Sequence, residues 1–168
     1  MAKVIWLTGL PGAGKSTIGT ELLGILKQKS DPVVMLDGDQ LREIFNNKQY
    51  DRAGRLNIAR SYGKLCQHLA SSGVNIIMCT VSLFKEVHQW NRENIQDYKE
   101  VFLDIPQEVL EARNQKGLYS GAQDGDVKNV HGYDLAYDRP ENPDLVIVNS
   151  NNEGPKEIAD SIGKQLGL

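Results

Sequence analysis

The stretch GLPGAGKS at residues 9–16 matches the phosphate-binding pattern G-x-x-x-x-G-K-[ST], and its flanks supply the context that this pattern requires. The apolar run from Val4 to Leu7 precedes it and predicts a strand, whereas apolar residues recur at helical spacing from Ile18 to Leu26. Strand, glycine loop and helix in this order turn successive backbone N–H groups towards phosphate at a helix N-terminus. The stretch therefore predicts a nucleoside triphosphate site, and a glycine-rich turn without a ligand is the less favoured alternative.

Side chains at the end of this loop carry the expected chemistry. Lys15 is expected to reach the β- and γ-phosphates, and the Ser16 hydroxyl is expected to hold Mg²⁺. The residues expected to contact the triphosphate are Gly9, Pro11, Gly12, Ala13, Gly14, Lys15, Ser16 and Thr17.

Length, composition and charge restrict the class of protein. The chain of 168 residues is 40% hydrophobic, which suits one domain over residues 1–168 whose core needs no disulfide or metal. A formal net charge of −3 argues against a protein that coats a nucleic-acid polymer, so the expected ligand is a small anion. Cys66 and Cys79 show no metal spacing and are interpreted as reduced, buried thiols, and the histidines at 68, 88 and 131 show no ligand spacing either. Without a signal-peptide pattern or an apolar run of roughly 20 residues, we expect no membrane segment and a cytoplasmic location.

Further apolar runs alternate with segments of helical period. This alternation predicts an α/β fold with about five parallel strands and helices on both faces of the sheet. The later strands are expected at about 32–36, 74–79, 100–105 and 145–148, and the helices at about 40–47, 53–72, 84–97, 106–114 and 155–166. Residues 116–143 are rich in Gly, Asp, Asn and Tyr, so we expect a mobile lid followed by an irregular loop.

Polar side chains follow two of these strands, at the edge where open parallel sheets bind ligands. Asp37, Asp39 and Arg42 come after the second strand. One carboxylate there can orient or deprotonate an acceptor hydroxyl, and the other can hold Mg²⁺ through water. Asp39 as a helix N-cap is the alternative. Ser82 follows the third strand and is expected to face the same cleft, or else to cap the helix that begins near residue 84.

The segment from residue 50 to 60 carries Arg52, Arg55 and Arg60. Their planar guanidinium groups suit bidentate recognition of phosphate or sulfate oxygens, although a solvated helix face has the same composition. We therefore expect the anionic tail of an acceptor to bind near this segment.

Taken together, these motifs resemble the adenylylsulfate (APS) kinase family over about residues 4–148. The resemblance rests on GLPGAGKST at 9–17, LDGDQLR at 36–42, YGKL at 62–65, KGLY at 116–119, VKN at 127–129 and RPENPDLVI at 139–147. It implies the P-loop NTPase fold and phosphoryl transfer from ATP, with Mg²⁺, to the ribose 3′-hydroxyl of adenosine 5′-phosphosulfate (APS). It also implies a small nucleotide partner with an anionic 5′ tail, and a homodimer.

The resemblance assigns roles to individual residues. Arg55 would contact the anionic tail, and Arg113 would lie near the ATP. Ser82 falls where the family carries a serine described as a phosphoserine intermediate, but direct in-line transfer needs no covalent step, so we expect Ser82 to contact the acceptor instead. The implied substrate-binding residues are Asp37, Asp39, Arg42, Tyr50, Arg55, Asn57, Val81, Ser82, Lys116, Gly117 and Leu118. Those expected to take part in catalysis are Lys15, Asp37, Asp39 and Ser82, with Ser16 as the metal ligand.

Departures from the family pattern concentrate on the acceptor side. VSLFK at 81–85 replaces the usual I-S-P-[YH]-R, and KNVHG at 128–132 replaces K-N-F-T-G, so Val130 stands where an aromatic residue stacks on adenine. The run from Ser82 to Asn94 resembles a branch of the family found with capsule-modifying enzymes, including cytidine diphosphoramidate kinase. APS is the leading acceptor because it is the commonest in the family, and the cytidine compound is the alternative. A nucleotide-dependent switch or binding module is the alternative from another class.

Overall fold

A parallel β-sheet organises the computed structural model, which describes residues 2–29, 31–114, 117–148 and 152–168. The strands are β1 (Val4–Gly9), β2 (Val33–Asp37), β3 (Asn75–Thr80), β4 (Tyr98–Leu103) and β5 (Leu145–Ile147), in the spatial order β2-β3-β1-β4-β5. The helices are α1 (Lys15–Lys27), α2 (Gly38–Ile44), α3 (Arg52–Ser71), α4 (Lys85–Asn94), α5 (Gln107–Arg113), α6 (Leu118–Gln123) and α7 (Pro155–Leu166). Each pair of neighbouring strands is parallel, which confirms the predicted α/β fold with a five-stranded sheet.

Side chains of the central strands alternate between two hydrophobic cores, one on each face of the sheet. In β1, Ile5 and Leu7 pack with residues of α1 and α7, whereas Val4 and Trp6 pack with residues of α3 and α4. All of these β1 side chains are fully buried, which explains why the strand reads as a continuous apolar run. Helices therefore cover both faces, and the carboxyl ends of the strands meet at one edge of the sheet.

Helix α2 begins at Gly38 rather than near residue 40, and Asp37 rather than Asp39 caps it. The Asp37 carboxylate accepts hydrogen bonds from the N–H groups of Asp39 (2.9 Å) and Gln40 (3.4 Å). The prediction of Asp39 as the N-cap is wrong, because Asp39 already lies in the first helical turn, past the position from which a side chain can reach the free N–H groups. Ser82 does not cap α4 either, since Phe84 occupies the N-cap position of that helix.

Helix α6 lies in the segment where the sequence predicts only a lid and an irregular loop. It has six residues, LYSGAQ, of which Tyr119 and Ala122 are buried. A helix of less than two turns shows no recognisable hydrophobic period, so the pattern of the sequence does not reveal it.

Two expectations from composition can be compared with the structure. Cys66 and Cys79 are buried free thiols, as predicted, and burial raises the pKa of each to about 12. Within the described part of the chain, no helix is long and apolar enough to cross a membrane.

Candidate active site

A cleft of about 1090 Å³ opens at the carboxyl ends of β1, β2 and β3. It brings together most of the residues that the sequence predicts for the site. Those in its wall are Pro11, Gly12, Ala13, Gly14, Lys15, Ser16, Thr17, Asp37, Asp39, Arg42, Tyr50, Arg55, Val81, Ser82, Arg113 and Leu118. Gly9, Asn57 and Gly117 lie outside this wall, and Lys116 lies outside the described residues.

Backbone geometry explains why these predicted residues lie elsewhere. Asn57 is exposed on α3, and helical geometry turns it about 200° away from Arg55, which faces the cleft. This placement does not support Asn57 as an acceptor ligand. Gly9 ends β1 against β4, where a Cβ atom would lie 2.8 Å from the Leu103 carbonyl oxygen, so the position requires glycine. Gly117 is the N-cap residue of α6, directly before Leu118, which lines the cleft.

The phosphate loop is held closed by Lys15 and by a left-handed glycine. Gly14 is the N-cap residue of α1, with a φ of 92° that side chains rarely adopt. The Lys15 Nζ donates hydrogen bonds to the carbonyl oxygens of Gly9 (3.0 Å) and Leu10 (2.9 Å). Burial lowers the pKa of Lys15 to about 8, against the opposing effect of nearby carboxylates such as Asp39. The ammonium group therefore lies over the loop, where phosphate oxygens can take the place of the carbonyl partners.

Residues at the end of α5 and in α6 hold the outer side of the loop. The Arg113 Nη1 donates to the Gly12 carbonyl oxygen at 2.9 Å, and the Tyr119 hydroxyl donates to the Pro11 carbonyl oxygen at 2.9 Å. Tyr119 is buried, and this burial raises its pKa to about 12. Tyr119 was not predicted as a residue of the site, although it belongs to the KGLY motif at residues 116–119, which marks this segment as part of the family pattern.

Ser16 and Asp37 form an oxygen-rich corner of the cleft. The Ser16 hydroxyl donates to Asp37 Oδ2, while Asp37 Oδ1 accepts the N–H groups at the start of α2. Hydroxyl and carboxylate oxygens suit Mg²⁺, which keeps several waters and usually shares its ligands with substrate phosphates. Among the described residues, no group of three or more His, Cys, Asp and Glu could hold a metal ion by itself. The corner therefore fits a magnesium ion that arrives with phosphate.

The opposite end of the cleft presents an aromatic ring between two guanidinium groups. Arg42 lies 4.7 Å and Arg55 lies 5.3 Å from the centroid of the Tyr50 ring, which is 49% exposed. Arg55 donates from Nε to the Tyr50 carbonyl and from Nη2 to the Asn129 carbonyl, both at 2.8 Å. Burial, and then the neighbouring Arg42, lower the pKa of Arg55. This end can therefore bind a planar group that carries negative charge beside it.

The predicted arginine cluster divides on folding. Arg55 lines the cleft, Arg52 lies 5.5 Å from the centroid of the Phe84 ring, and Arg60 is exposed on α3 away from the cleft wall. At the acceptor end Arg55 is therefore joined by Arg42, which belongs to a different helix, and by Lys48.

Ser82 lies in the wall of the cleft, as its position after β3 predicts. Its hydroxyl lies 2.6 Å from the Thr80 hydroxyl, and both residues are buried. The φ of Ser82 is 25°, which is unusual for a residue with a side chain. In the same turn the Val81 carbonyl accepts a hydrogen bond from Thr8 Oγ1 at 2.5 Å. This turn therefore presents tightly held backbone and hydroxyl groups to the cleft.

In the segment 128–132, the residue that lies in the cleft wall is His131 and not Val130. Val130 is 3% exposed and belongs to a hydrophobic core. The His131 ring lines the cleft and packs edge-to-face against Phe84, with 5.5 Å between the centroids. Burial, and then Arg55, lower the pKa of His131 to about 4, so the ring is neutral at physiological pH. Phe84, which the sequence places only at the start of a helix, also lines the cleft.

A phosphate loop with Lys15 lying over it, and with the Ser16 hydroxyl and the Asp37 carboxylate beside it, is the arrangement by which P-loop NTPases bind nucleotide phosphates and Mg²⁺. A sequence model of the Adenylylsulphate kinase family matches residues 1–148. The chain belongs to this family, whose members are kinases that use ATP as a substrate.

Similar proteins agree with this assignment. Cytidine diphosphoramidate kinase of Campylobacter jejuni subsp. jejuni is 41% identical over 165 residues, which cover 98% of this chain and 96% of the relative. Adenylyl-sulfate kinase of Clostridium kluyveri is 36% identical over 146 residues, which cover 86% of this chain and 73% of the relative. The structure of Mycobacterium tuberculosis APS kinase CysC in complex with AMPPNP and APS has a TM-score of 0.91 at 31% identity, with 99% of this chain and 98% of that chain covered. The predicted family and its kinase chemistry are confirmed.

Proposed function

We propose that this kinase transfers the γ-phosphoryl group of ATP to the ribose 3′-hydroxyl of a nucleotide with an anionic or phosphate-like 5′ tail. The observation that carries the proposal is that Lys15 of the phosphate loop and the Tyr50 ring line one continuous cleft. Donor phosphates on the loop and an acceptor base against Tyr50 can meet within that space. Phosphoryl transfer needs positioning and charge stabilisation more than covalent help from the protein, and this arrangement supplies both.

On the donor side, Lys15 and the loop N–H groups would bind the triphosphate and stabilise the charge that develops on the transferred group. Ser16 and Asp37 would hold Mg²⁺, directly or through water. When bound, the ion neutralises charge on the phosphate oxygens. Arg113, which donates to the Gly12 carbonyl, would lie beside the bound ATP.

On the acceptor side, Asp39 is proposed to orient the acceptor hydroxyl and to accept its proton, because this residue lines the cleft from the first turn of α2. Arg42 and Arg55 would hold the anionic tail. Val81 and Ser82 would contact the acceptor from the β3 side, and Gly117 and Leu118 would begin a lid that excludes water.

The acceptor that we propose is cytidine diphosphoramidate. The relative of that name is 41% identical over 98% of this chain, whereas the adenylyl-sulfate kinase of C. kluyveri is 36% identical over 86% of it. The probable adenylyl-sulfate kinase of Pyrococcus abyssi is 35% identical over 97% of this chain. The burial of Val130 in the core also removes a stacking platform that suits a purine, the larger of the two bases.

APS is the second candidate acceptor, and a separate observation favours it. The solved structure with a TM-score of 0.91 is an APS kinase bound to AMPPNP and APS, and it covers 99% of this chain. A backbone so similar can present APS in the same orientation, provided that the altered base site tolerates adenine.

An acceptor-dependent ADP-release assay with MgATP separates the candidates. We compare kcat/KM for cytidine diphosphoramidate, for APS, and for cytidine diphosphate as a control without the amidate, and we confirm the product by mass. The proposal predicts a kcat/KM at least about tenfold higher for cytidine diphosphoramidate than for APS, the size of one lost stacking contact. A preference for APS would assign the enzyme to sulfate activation. ADP release that depends on neither acceptor would overturn the proposal and favour a nucleotide switch.

The homodimer and the cytoplasmic location expected from the sequence stay predictions. Light scattering coupled to size-exclusion chromatography tests the first, because a dimer has twice the mass of the 18.7 kDa chain.

A further inference from the structure

The Ser82 turn has a backbone conformation that its own sequence does not favour. Ser82 has a φ of 25°, a positive value that favours glycine, although Ser82 carries a side chain. A residue with a β-carbon in such a region persists only when surrounding contacts fix it. The contacts that fix this turn therefore matter to whatever the turn binds.

His88 provides one of these contacts from behind the cleft. Its Nε2 atom lies 2.9 Å from the Ser82 carbonyl oxygen, which also accepts the Phe84 N–H at 2.9 Å. Because a carbonyl oxygen only accepts, the proton of this bond belongs to Nε2. His88 is 6% exposed, so no water readily replaces the bond if the imidazole is removed.

A buried carboxylate lies directly behind the His88 ring. Glu100 Oε1 on β4 is 3.0 Å from His88 Nδ1, and the exposed fractions of the two side chains are 3% and 7%. Neither atom makes a hydrogen bond, because the Nε2 proton faces Ser82 and Nδ1 of the neutral ring has none to donate, so this contact fixes the ring by packing. Burial lowers the pKa of His88, while Glu100 and the Ser82 carbonyl oppose that shift. The other Glu100 oxygen accepts from Arg92 Nη2 at 3.1 Å, and Arg92 also donates to the Asn142 carbonyl at 2.8 Å. A buried carboxylate that has these partners is a costly but rigid support.

The segment that follows the lid holds the other side of the same turn. The Asp138 N–H donates to the Leu83 carbonyl at 3.0 Å, and Asp138 Oδ2 accepts from the Lys85 N–H at 3.1 Å. The Ser82 turn is thus fixed between helix α4, strand β4 and the approach to β5, none of which belongs to the phosphate loop.

We infer that His88 is a positioning residue for the acceptor: it fixes the Ser82 carbonyl, and through it the turn at residues 80–84, with Glu100 and Arg92 as its support. The inference rests on the proposed function, in which this turn contacts the acceptor nucleotide. Since the imidazole of His88 bonds to the Ser82 turn and not to the phosphate loop, loss of His88 weakens acceptor binding and leaves ATP binding unchanged.

The test compares His88→Leu, His88→Gln and a matched control, Asn91→Ala. Glutamine can offer an amide N–H towards the Ser82 carbonyl, whereas leucine cannot. Asn91 is a buried polar residue on the same helix, but its side chain contacts Tyr98 instead of the Ser82 turn. Steady-state kinetics give separate KM values for acceptor and ATP, and hydrogen exchange reports the amides of residues 80–85.

We expect His88→Leu to raise the acceptor KM by about ten- to hundredfold with the KM for ATP unchanged. Amides of residues 80–85 should exchange faster, and His88→Gln should recover most of both properties. Asn91→Ala should lower the melting temperature without changing the acceptor KM. If His88→Leu does not fold, His88→Gln carries the test, with a smaller increase in the acceptor KM alone.

Other outcomes overturn the inference. Equal increases in both KM values would mean that His88 is merely structural, and an unchanged acceptor KM or unchanged exchange at residues 80–85 would remove the positioning role. A wild-type protein that phosphorylates neither acceptor overturns the proposed function instead. In that case hydrogen exchange still decides whether His88 holds the turn.

Discussion

The two ends of the cleft are built in different ways. The donor end is largely one continuous stretch, residues 9–17, whose Lys15 closes onto carbonyl groups five and six positions earlier. The acceptor end joins segments far apart in the chain, as in the bond from Arg55 to the Asn129 carbonyl, 74 positions away. The sequence of a contiguous loop can change little before the loop loses its function. In a pocket formed by several segments, the sequence of one segment can change while the others stay the same. This difference explains why the phosphate loop is complete while the departures from the family pattern lie on the acceptor side.

The largest expected effect is at the donor end. Lys15→Ala should lower kcat by about 10²- to 10³-fold, because the ammonium group that stabilises the transferred phosphoryl group is removed. Circular dichroism should show an intact fold, and Lys27→Ala, an exposed lysine at the end of the same helix, should retain normal turnover. A near-normal kcat for Lys15→Ala would contradict the donor assignment.

The acceptor end should respond to Arg55→Ala. Loss of the guanidinium removes the anionic-tail contact and separates Tyr50 from Asn129, so we expect the KM for the acceptor to rise by about ten- to hundredfold. The KM for ATP should stay close to that of the wild type. Arg60→Ala, which changes an exposed arginine on the same helix, is the control. Equal increases for both substrates would mean that the two ends are not separable.

The two ends of the cleft should also differ in how their ligand binding depends on pH. Burial lowers the pKa of Lys15 to about 8 in the free protein, below the 10.5 of an unfolded lysine. The free enzyme therefore loses this proton above about pH 8, and its dissociation constant for ATP should rise up to about tenfold per pH unit. Between pH 8 and 10.5 the unfolded chain binds more protons than the folded chain, so the Lys15 contribution to stability increases with pH.

Calorimetric titration with a non-hydrolysable ATP analogue measures this effect. The Lys15→Ala variant should bind the analogue weakly and without a transition near pH 8. The acceptor KM should not follow the same transition, because the arginines at the acceptor end stay charged. A wild-type affinity that is constant from pH 7 to 10 would refute the assignment of this titration to Lys15.

The smallest expected change in acceptor binding comes from Val130→Phe. The family pattern suggests that this substitution restores a stacking residue, but Val130 is buried in a hydrophobic core. We therefore expect a loss of about 1–3 kcal/mol in the free energy of unfolding through overpacking, with no improvement in kcat/KM for APS. Chemical denaturation and the APS assay measure the two effects, and a clear gain with APS would show that residue 130 can reach the cleft.

The sequence predicts the donor end well because its signals are local. The strand at Val4, the glycine loop and the following helix are contiguous, and burial of β1 on both faces of the sheet gives the continuous apolar run in its sequence. The carboxylates after β2 and Ser82 after β3 reach the predicted edge for the same topological reason.

Interactions between distant segments could not be predicted in the same way. The pairing of His88 with Glu100 and the bond from Tyr119 to the Pro11 carbonyl depend on how helices pack, which no spacing pattern encodes. The prediction of the α2 N-cap failed even though the signal is local. Either Asp37 or Asp39 suits an N-cap position, and only the path of the backbone selects Asp37.

Phosphoryl transfer to a defined atom of the acceptor tests the account most directly. The enzyme is incubated with γ-labelled ATP, Mg²⁺ and cytidine diphosphoramidate or APS, and the labelled product is located by mass spectrometry and ³¹P NMR. We expect one phosphoryl group per ADP released, attached to the ribose 3′-oxygen of the acceptor. Label found only as free phosphate, or on the 5′ tail, would contradict it.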